Sequence, residues 1–254
     1  MKMKFPKFSL IFFLLLGNIQ PSFAFTVMPI SRTFTPTGSA STQSYDLVSD
    51  KPETEAIEMS VVKREMDLDG KETYVPADDD FLIYPSQIIL KGGTTQTVRV
   101  TWVGEPDPKQ ELAYRLVSQQ IPIDLKKPEV VKSTTVTAKV SILMKYMGSL
   151  YIRPADVQPK VVLESIIAQT DKGKPAIAMI LDNQGSGRAS LANYSLNLTS
   201  AGKTVILKPD QLKEVTNQNI LANHKRRFIF PHPADLPQGT VTATFDYTPP
   251  QSPL

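Results

Sequence analysis

The chain has 254 residues, with 28 Lys+Arg against 25 Asp+Glu, two histidines, one tryptophan and no cysteine. The lack of cysteine excludes thiol nucleophiles, thiolate metal sites and disulfides, and His224 and His232 alone are left for histidine chemistry, which makes most enzyme classes hard to build. At about 100–150 residues per domain, the length allows one large core or two ordinary ones.

The elements begin with a leader. Lys2, Lys4 and Lys7 precede an apolar stretch centred on Phe12-Phe13-Leu14-Leu15-Leu16, and Ser22-Phe23-Ala24 supplies small residues at the cleavage positions. This is the pattern of a secretory signal peptide over residues 1–24, with a mature start at Phe25. The apolar run is shorter than the roughly 20 residues that span a bilayer, so no stable membrane insertion is expected. The leader holds three lysines and no acid, which leaves 25 basic and 25 acidic residues in the remainder. With no cationic surplus to neutralise phosphates, no nucleic-acid partner is expected.

From Phe25 onward the pattern is that of strands. Short β-branched and aromatic runs are bounded by Gly, Pro, Asn and Asp. The expected strands are Phe25–Phe34, Ser44–Ser49, Thr54–Arg64, Thr73–Val75, Phe81–Ile83, Gln87–Leu90, Thr95–Trp102 and Glu111–Gln119. Thr95–Trp102 alternates over its second half, the period of a strand with one buried face. The segment Thr134–Pro154 is long for a strand, since most run about 5–6 residues. One of its faces carries Val136, Ala138, Val140, Ile142, Met144 and Tyr146; Arg153-Pro154 ends it, because proline donates nothing to a ladder. A domain boundary is placed there. Lys160–Gln169, Ala176–Asp182, Asn193–Thr199, Thr204–Leu207, Arg226–Phe230 and Gly239–Tyr247 repeat the pattern, and the last residues read as a frayed tail. The expectation is an all-β protein of two immunoglobulin-like β-sandwich domains in series, residues 25–155 and 156–254.

Four blocks in order carry a resemblance. They are Phe25-Thr-Val-Met-Pro-Ile30, the run from Tyr84 to Val100 with its Pro85, Leu90, Gly93, Gln96, Val98 and Arg99, Glu111-Leu-Ala-Tyr-Arg-Leu116 with Ile121-Pro122, and Ser149-Leu-Tyr-Ile-Arg-Pro154. Together they resemble the periplasmic pilus chaperones of the chaperone–usher pathway, and the third block resembles the archaic branch. The resemblance is strong mainly from residue 25 to residue 154.

It implies a non-catalytic protein without cofactor or metal. Such a protein captures pilin or fimbrial subunits in the periplasm by lending them an edge strand, a form of β-augmentation, then delivers them to an outer-membrane usher. Counted back from Arg153-Pro154, the donor positions fall on Val140, Ile142 and Met144, flanked by Ala138 and Tyr146. At roughly 25 cal/mol per Å² of apolar area, three or four such side chains contribute several kcal/mol before ordering costs.

The resemblance also implies a basic anchor for the subunit's terminal carboxylate, for which Arg32, Arg115 and Lys145 are the candidates. Ser149 stands where the family's lysine is expected. Lys145 falls on the donor face or the opposite one, depending on a bulge near Gly148. An inter-domain ion network is implied at Glu111, Arg153 and Asp235. The runner-up reading is a structural pilus subunit or adhesin of the same system.

Two motifs are discounted. The acids around Asp67-Leu-Asp69-Gly70 lack the full spacing of a calcium loop, and Asn183-Gln-Gly185-Ser-Gly187 lacks the strand–helix context of a dinucleotide site.

Overall fold

The computed structural model describes residues 25–122 and 143–250. Among them, ten strands form a first sandwich: β1 (Phe25–Met28), β2 (Ser31–Phe34), β3 (Thr42–Ser49), β4 (Glu55–Met66), β5 (Glu72–Pro76), β6 (Phe81–Tyr84), β7 (Gln87–Leu90), β8 (Thr95–Trp102), β9 (Leu112–Ile121) and β10 (Lys145–Ile152). One sheet has the order β1-β3-β8-β6. The other runs β2-β10-β9-β4-β5, with β7 also paired to β4. Between them lies a core of Phe34, Tyr45, Leu47, Ile57, Trp102 and Leu150, among others.

The expected single strand Phe25–Phe34 is two strands in two sheets. β1 pairs antiparallel with β3, whereas β2 pairs parallel with β10. Pro29, at the break, has no N–H to donate to a ladder, so the chain leaves the first sheet there. Alternation then sets the faces. In β8 the buried residues are Val98, Val100 and Trp102, as the sequence period requires.

Eight strands form a second sandwich: β11 (Val161–Asp171), β12 (Lys174–Asn183), β13 (Ala189–Ser190), β14 (Tyr194–Ser200), β15 (Lys203–Leu207), β16 (Asn219–Ile220), β17 (Lys225–Pro231) and β18 (Thr242–Tyr247). Its sheets are β11-β12-β17, β15-β14-β18 and the short pair β13-β16. β14 shows the sequence rule plainly: Tyr194, Leu196, Leu198 and Ser200 are buried, and Ser195, Asn197 and Thr199 between them are not. Its core, including Ile177, Met179, Leu196 and Phe230, shares no residue with that of the first sandwich. The two-residue strands β13 and β16 have no sequence signal of their own, because too few residues alternate.

Among the described residues no helix is long and apolar enough to cross a membrane, and no group of three or more His, Asp or Glu is placed to hold a metal ion. Of the expected long strand Thr134–Pro154, the part through Ile142 lies outside the described residues.

Phe34 and Phe230 are each almost wholly buried, one in each core. Phe34→Ala and Phe230→Ala are each expected to lower stability by about 3–5 kcal/mol, through lost transfer energy plus a residual cavity. Urea unfolding of each variant measures this.

Candidate functional site

The site is built around β10, which has two differently placed halves. Along its whole length it pairs with β9, from Lys145↔Gln119 to Ile152↔Leu112 without a register shift. The Gln120 N–H donates to the Met144 carbonyl at 2.9 Å and continues the pairing one step. On the opposite edge β2 covers only Ser149–Ile152, and the Ser149 N–H donates to the Ile30 carbonyl at 2.8 Å. Among the described residues nothing pairs with that edge from Lys145 to Gly148. Unpaired edge groups of this kind are a template for another strand.

The side chains along this edge are apolar on one face. Leu150 and Ile152 are fully buried in the core, and Met144 and Tyr146, of the same parity, pack partly buried against it. The Tyr146 ring meets Phe25 of β1 edge-on, with centroids 4.9 Å apart. Met28, Ile30 and Leu143 nearby are exposed, Ile30 to 73%. The apolar interior therefore runs out to solvent along a seam between β1 and the open half of β10. Of the expected donor residues, Met144 and Tyr146 lie on this face, while Ala138, Val140 and Ile142 fall outside the described residues.

The opposite face of the same sheet carries charge. Arg115 clasps Glu72 with Nε and Nη2, at 2.9 and 2.6 Å, and its Nη1 donates to the Ser149 hydroxyl at 2.5 Å. Arg64, buried, forms an ion pair through Nη2 with Glu72 at 2.8 Å and donates through Nη1 to the Tyr151 hydroxyl at 3.2 Å. Burial acts to raise the Glu72 carboxyl, but the Arg115 bond, the Tyr74 hydroxyl and the Arg64 and Arg115 charges together hold it below the usual carboxylate range. Next along this face, the nearly inaccessible Glu111 carboxylate accepts from Arg153 at 2.6 Å and from Arg188 of the second sandwich at 2.8 Å. The Arg188 guanidinium also lies 3.7 Å from the centre of the Tyr151 ring, a cation–π contact. Four guanidinium groups thus surround two carboxylates, so the face carries a positive surplus.

A loop of the second sandwich completes the arrangement. The buried Asn183 side chain donates to the carbonyls of Gly187, Ile220 and Leu221 and accepts from the Lys160 and Gly185 N–H groups. Gly185 presses so closely on the 158–160 backbone that a Cβ there would sit 2.2 Å from the Gln158 carbonyl oxygen. The Asn-Gln-Gly-Ser-Gly motif is therefore a structural turn, and it presents the Ser186 carbonyl to the Glu111 N–H at 2.8 Å. Between the sandwiches opens a cleft of about 480 Å³, with Ser31, Ser149, Tyr151, Arg153 and Arg188 in its wall.

The expected site residues are distributed unevenly. Arg115 lies behind Ser149 and is occupied by Glu72. Arg32 pairs in register with the core residue Leu150, so it stands on the other side of β2 from Ser31, and it donates to the Ser44 carbonyl of the opposite sheet at 3.3 Å. The ladder has no bulge at Gly148, so Lys145 shares the face of Met147 and Ser149; it is exposed, and about 13 Å of strand separates it from Ser149. Glu111 and Arg153 are paired. Asp235 is exposed and forms no ion pair among the described residues; Arg188 is the second partner of Glu111.

Arg64, Glu72 and Arg188 escape sequence reasoning. Arg64 sits near a strand end where charge usually means solvent, and its buried place comes from distant partners, Glu72 of β5 and Tyr151 of β10.

No family model matches the sequence, and no curated protein matches it. Solved structures do. The class 5 fimbriae chaperone CfaA superposes with a TM-score of 0.54 at 17% identity, covering 88% of this chain and 99% of that one. A chain of the CsuC–CsuE chaperone–tip adhesion subunit pre-assembly complex, from archaic chaperone-usher Csu pili of Acinetobacter baumannii, gives 0.56 at 16%, covering 87% and 92%. The E. coli chaperone DraB gives 0.51 at 19%, covering 86% and 87%. At these identities the likeness is one of fold: two immunoglobulin-like β-sandwiches in series, as in fimbrial chaperones.

Two outcomes follow from the charged face. Glu111→Ala leaves Arg153 and Arg188 facing each other without their carboxylate, and a loss of about 3–5 kcal/mol is expected in urea unfolding. The depressed Glu72 value makes its contribution complete above the ordinary carboxylate range and lost as pH falls through the folded value. Glu72→Gln is expected to lower stability at pH 7 and to flatten the acid limb of the stability–pH curve.

Proposed function

We propose that this protein is a non-enzymatic periplasmic chaperone of fimbrial subunits that binds them by donor-strand complementation and passes them to an outer-membrane usher. The observation that carries the reading is the half-covered β10: a ladder edge unpaired among the described residues from Lys145 to Gly148, backed by apolar side chains that run out of the protein's own core. An incomplete sandwich of the subunit would add to this edge by backbone hydrogen bonds, and alternate apolar side chains would enter its groove. Met144 and Tyr146 supply the near end of that row, and Ile142, Val140 and Ala138 extend it by parity.

The fold likeness supports the same reading, since the similar structures are those of fimbrial chaperones, one of them solved with a tip adhesion subunit. The cleft is the proposed seat of the subunit's terminal carboxylate. There the Ser31 and Ser149 hydroxyls replace a direct basic anchor, and Arg115 behind Ser149, with Arg153 and Arg188 in the wall, supplies the field. Charge-assisted hydrogen bonds of this kind strengthen away from water. Among the expected anchors, Arg115 is thus retained at second hand, while Arg32 and Lys145 have no place in this seat. No nucleotide, metal or nucleic acid enters the proposed activity.

Co-expression with a fimbrial subunit of the same host, followed by purification from the periplasm, tests the proposal. A stable 1:1 complex is expected. The double variant Ile142→Ala/Met144→Ala is expected to lose capture while keeping the circular dichroism spectrum of the parent and a single cooperative melt, lowered by a few degrees at most because Met144 is only partly buried. Self-polymerisation of the purified protein, or undiminished capture by the double variant, contradicts the proposal.

A further inference from the structure

The turn between β4 and β5, whose acids suit no calcium loop, is put to another use in the folded chain. It is built rigidly. The Asp67 carboxylate accepts from the Asp69 and Lys71 N–H groups at 3.0 and 2.8 Å, and the Asp67 N–H donates to the Lys71 carbonyl at 3.0 Å. A short acidic side chain that holds its own backbone in this way pre-forms a tight turn.

The tip of that turn rests on β17 of the second sandwich through three independent contacts. The Arg227 N–H donates to the Leu68 carbonyl at 2.6 Å. The Arg227 guanidinium clasps the Asp69 carboxylate with Nε and Nη2, both at 2.7 Å. Gly70, at φ +80°, lies flush on Arg226: a Cβ there would stand 2.5 Å from the Arg226 Nε. β17 is the outer strand of its sheet, so the turn covers part of an edge that would otherwise be unpaired.

Arg226 carries these contacts onward. On its far side Nη1 donates to the Asn219 carbonyl and Nη2 to the Gln218 side chain, both at 2.8 Å. Asn219 and its neighbour Asn217 form the wall of the inter-domain cleft that faces Ser31 and Ser149. The turn of the first sandwich thus bears on the arginine that holds the opposite wall of the cleft.

We infer that the Asp67–Lys71 turn is an inter-domain latch, and that Asp69 and Gly70 are positioning residues that set the aperture of the cleft through Arg226 and Arg227. The Glu111 pairing ties the sandwiches at one place and the latch at another, and two separated ties suppress rotation that one alone would allow. The latch itself stands on the contacts above; its effect on ligand capture rests on the proposed reading of the cleft.

The absence of cysteine makes the test clean. Gln96→Cys and Lys203→Cys, both at exposed positions, place one spin label on each sandwich of the full chain. Pulsed electron–electron resonance then reads the distance distribution between them. The parent is expected to give one narrow distribution, and Asp69→Ala and Gly70→Ala a shifted and broader one. The charge exchange Asp69→Arg/Arg227→Asp is expected to return it toward the parent, which a merely structural loss would not do. Unchanged distributions in both single variants, or no recovery in the exchange, overturn the latch.

Subunit capture by Asp69→Ala is expected to weaken in parallel. A shifted distribution with capture equal to the parent's overturns control of the cleft. Failure of the parent itself to capture any subunit removes the proposed function, while the distances still decide the latch.

Discussion

The rest of the structure depends on where β2 stops covering β10. Because β2 begins only at Ser31, the pairing it offers begins at Ser149, and the four residues before that keep one ladder edge unpaired among the described residues. Had β1 continued straight into β2 in one sheet, this seam would have been closed. The break at Met28-Pro29-Ile30 instead sends the chain from the β3 side to the β10 side and leaves Met28 and Ile30 exposed at the gap. Backbone donors without partners and apolar side chains without cover then occur at the same margin. Each alone is common on a protein surface; their coincidence here is what the proposed completion by a strand from outside rests on.

The two faces of β10 serve different ends, and the division follows from strand geometry alone. Side chains of one parity build the core at Leu150 and Ile152 and reach the seam at Met144 and Tyr146. Those of the other parity, Ser149, Tyr151 and Arg153, enter the charged network and the cleft. Pairing with Glu72 and Glu111, which offsets part of their charge, lets Arg64, Arg115, Arg153 and Arg188 sit largely out of water, where isolated charges would be prohibitively costly. Such a network adds little net stability, but its directional bonds hold the two sandwiches in one arrangement, and the turn at Asp67–Lys71 adds a second tie.

Much of this was legible in the sequence. The period of two in the second half of Thr95–Trp102 located a strand and its buried face, Asn193–Thr199 was expected as a strand and forms most of β14, and β10 ends at Ile152, just before Arg153-Pro154. The parity of Met144 and Tyr146 followed from counting back from that point. What was not legible depends on contacts between distant segments. Phe25–Phe34 reads as one strand because exchange between sheets changes partners, not composition. Arg188 takes a place beside Glu111 that the resemblance suggested for Asp235, because the turn at Asn183–Gly187, whose composition shows a turn but not what it packs against, brings it there. Arg32 faces away from the cleft because its register against Leu150 is set by β10, not by its own neighbours.

The central claim is that the free edge at the start of β10 receives a strand from a fimbrial subunit. Amide hydrogen exchange, followed by mass spectrometry on the protein alone and with a subunit, tests it most directly. Peptides covering residues 143–148 are expected to exchange readily in the free protein at the amides that point away from β9 and to become strongly protected there in the complex, while those covering β14 and β15 stay unchanged. Protection confined to other surfaces, with residues 143–148 exchanging as they do in the free protein, would contradict it.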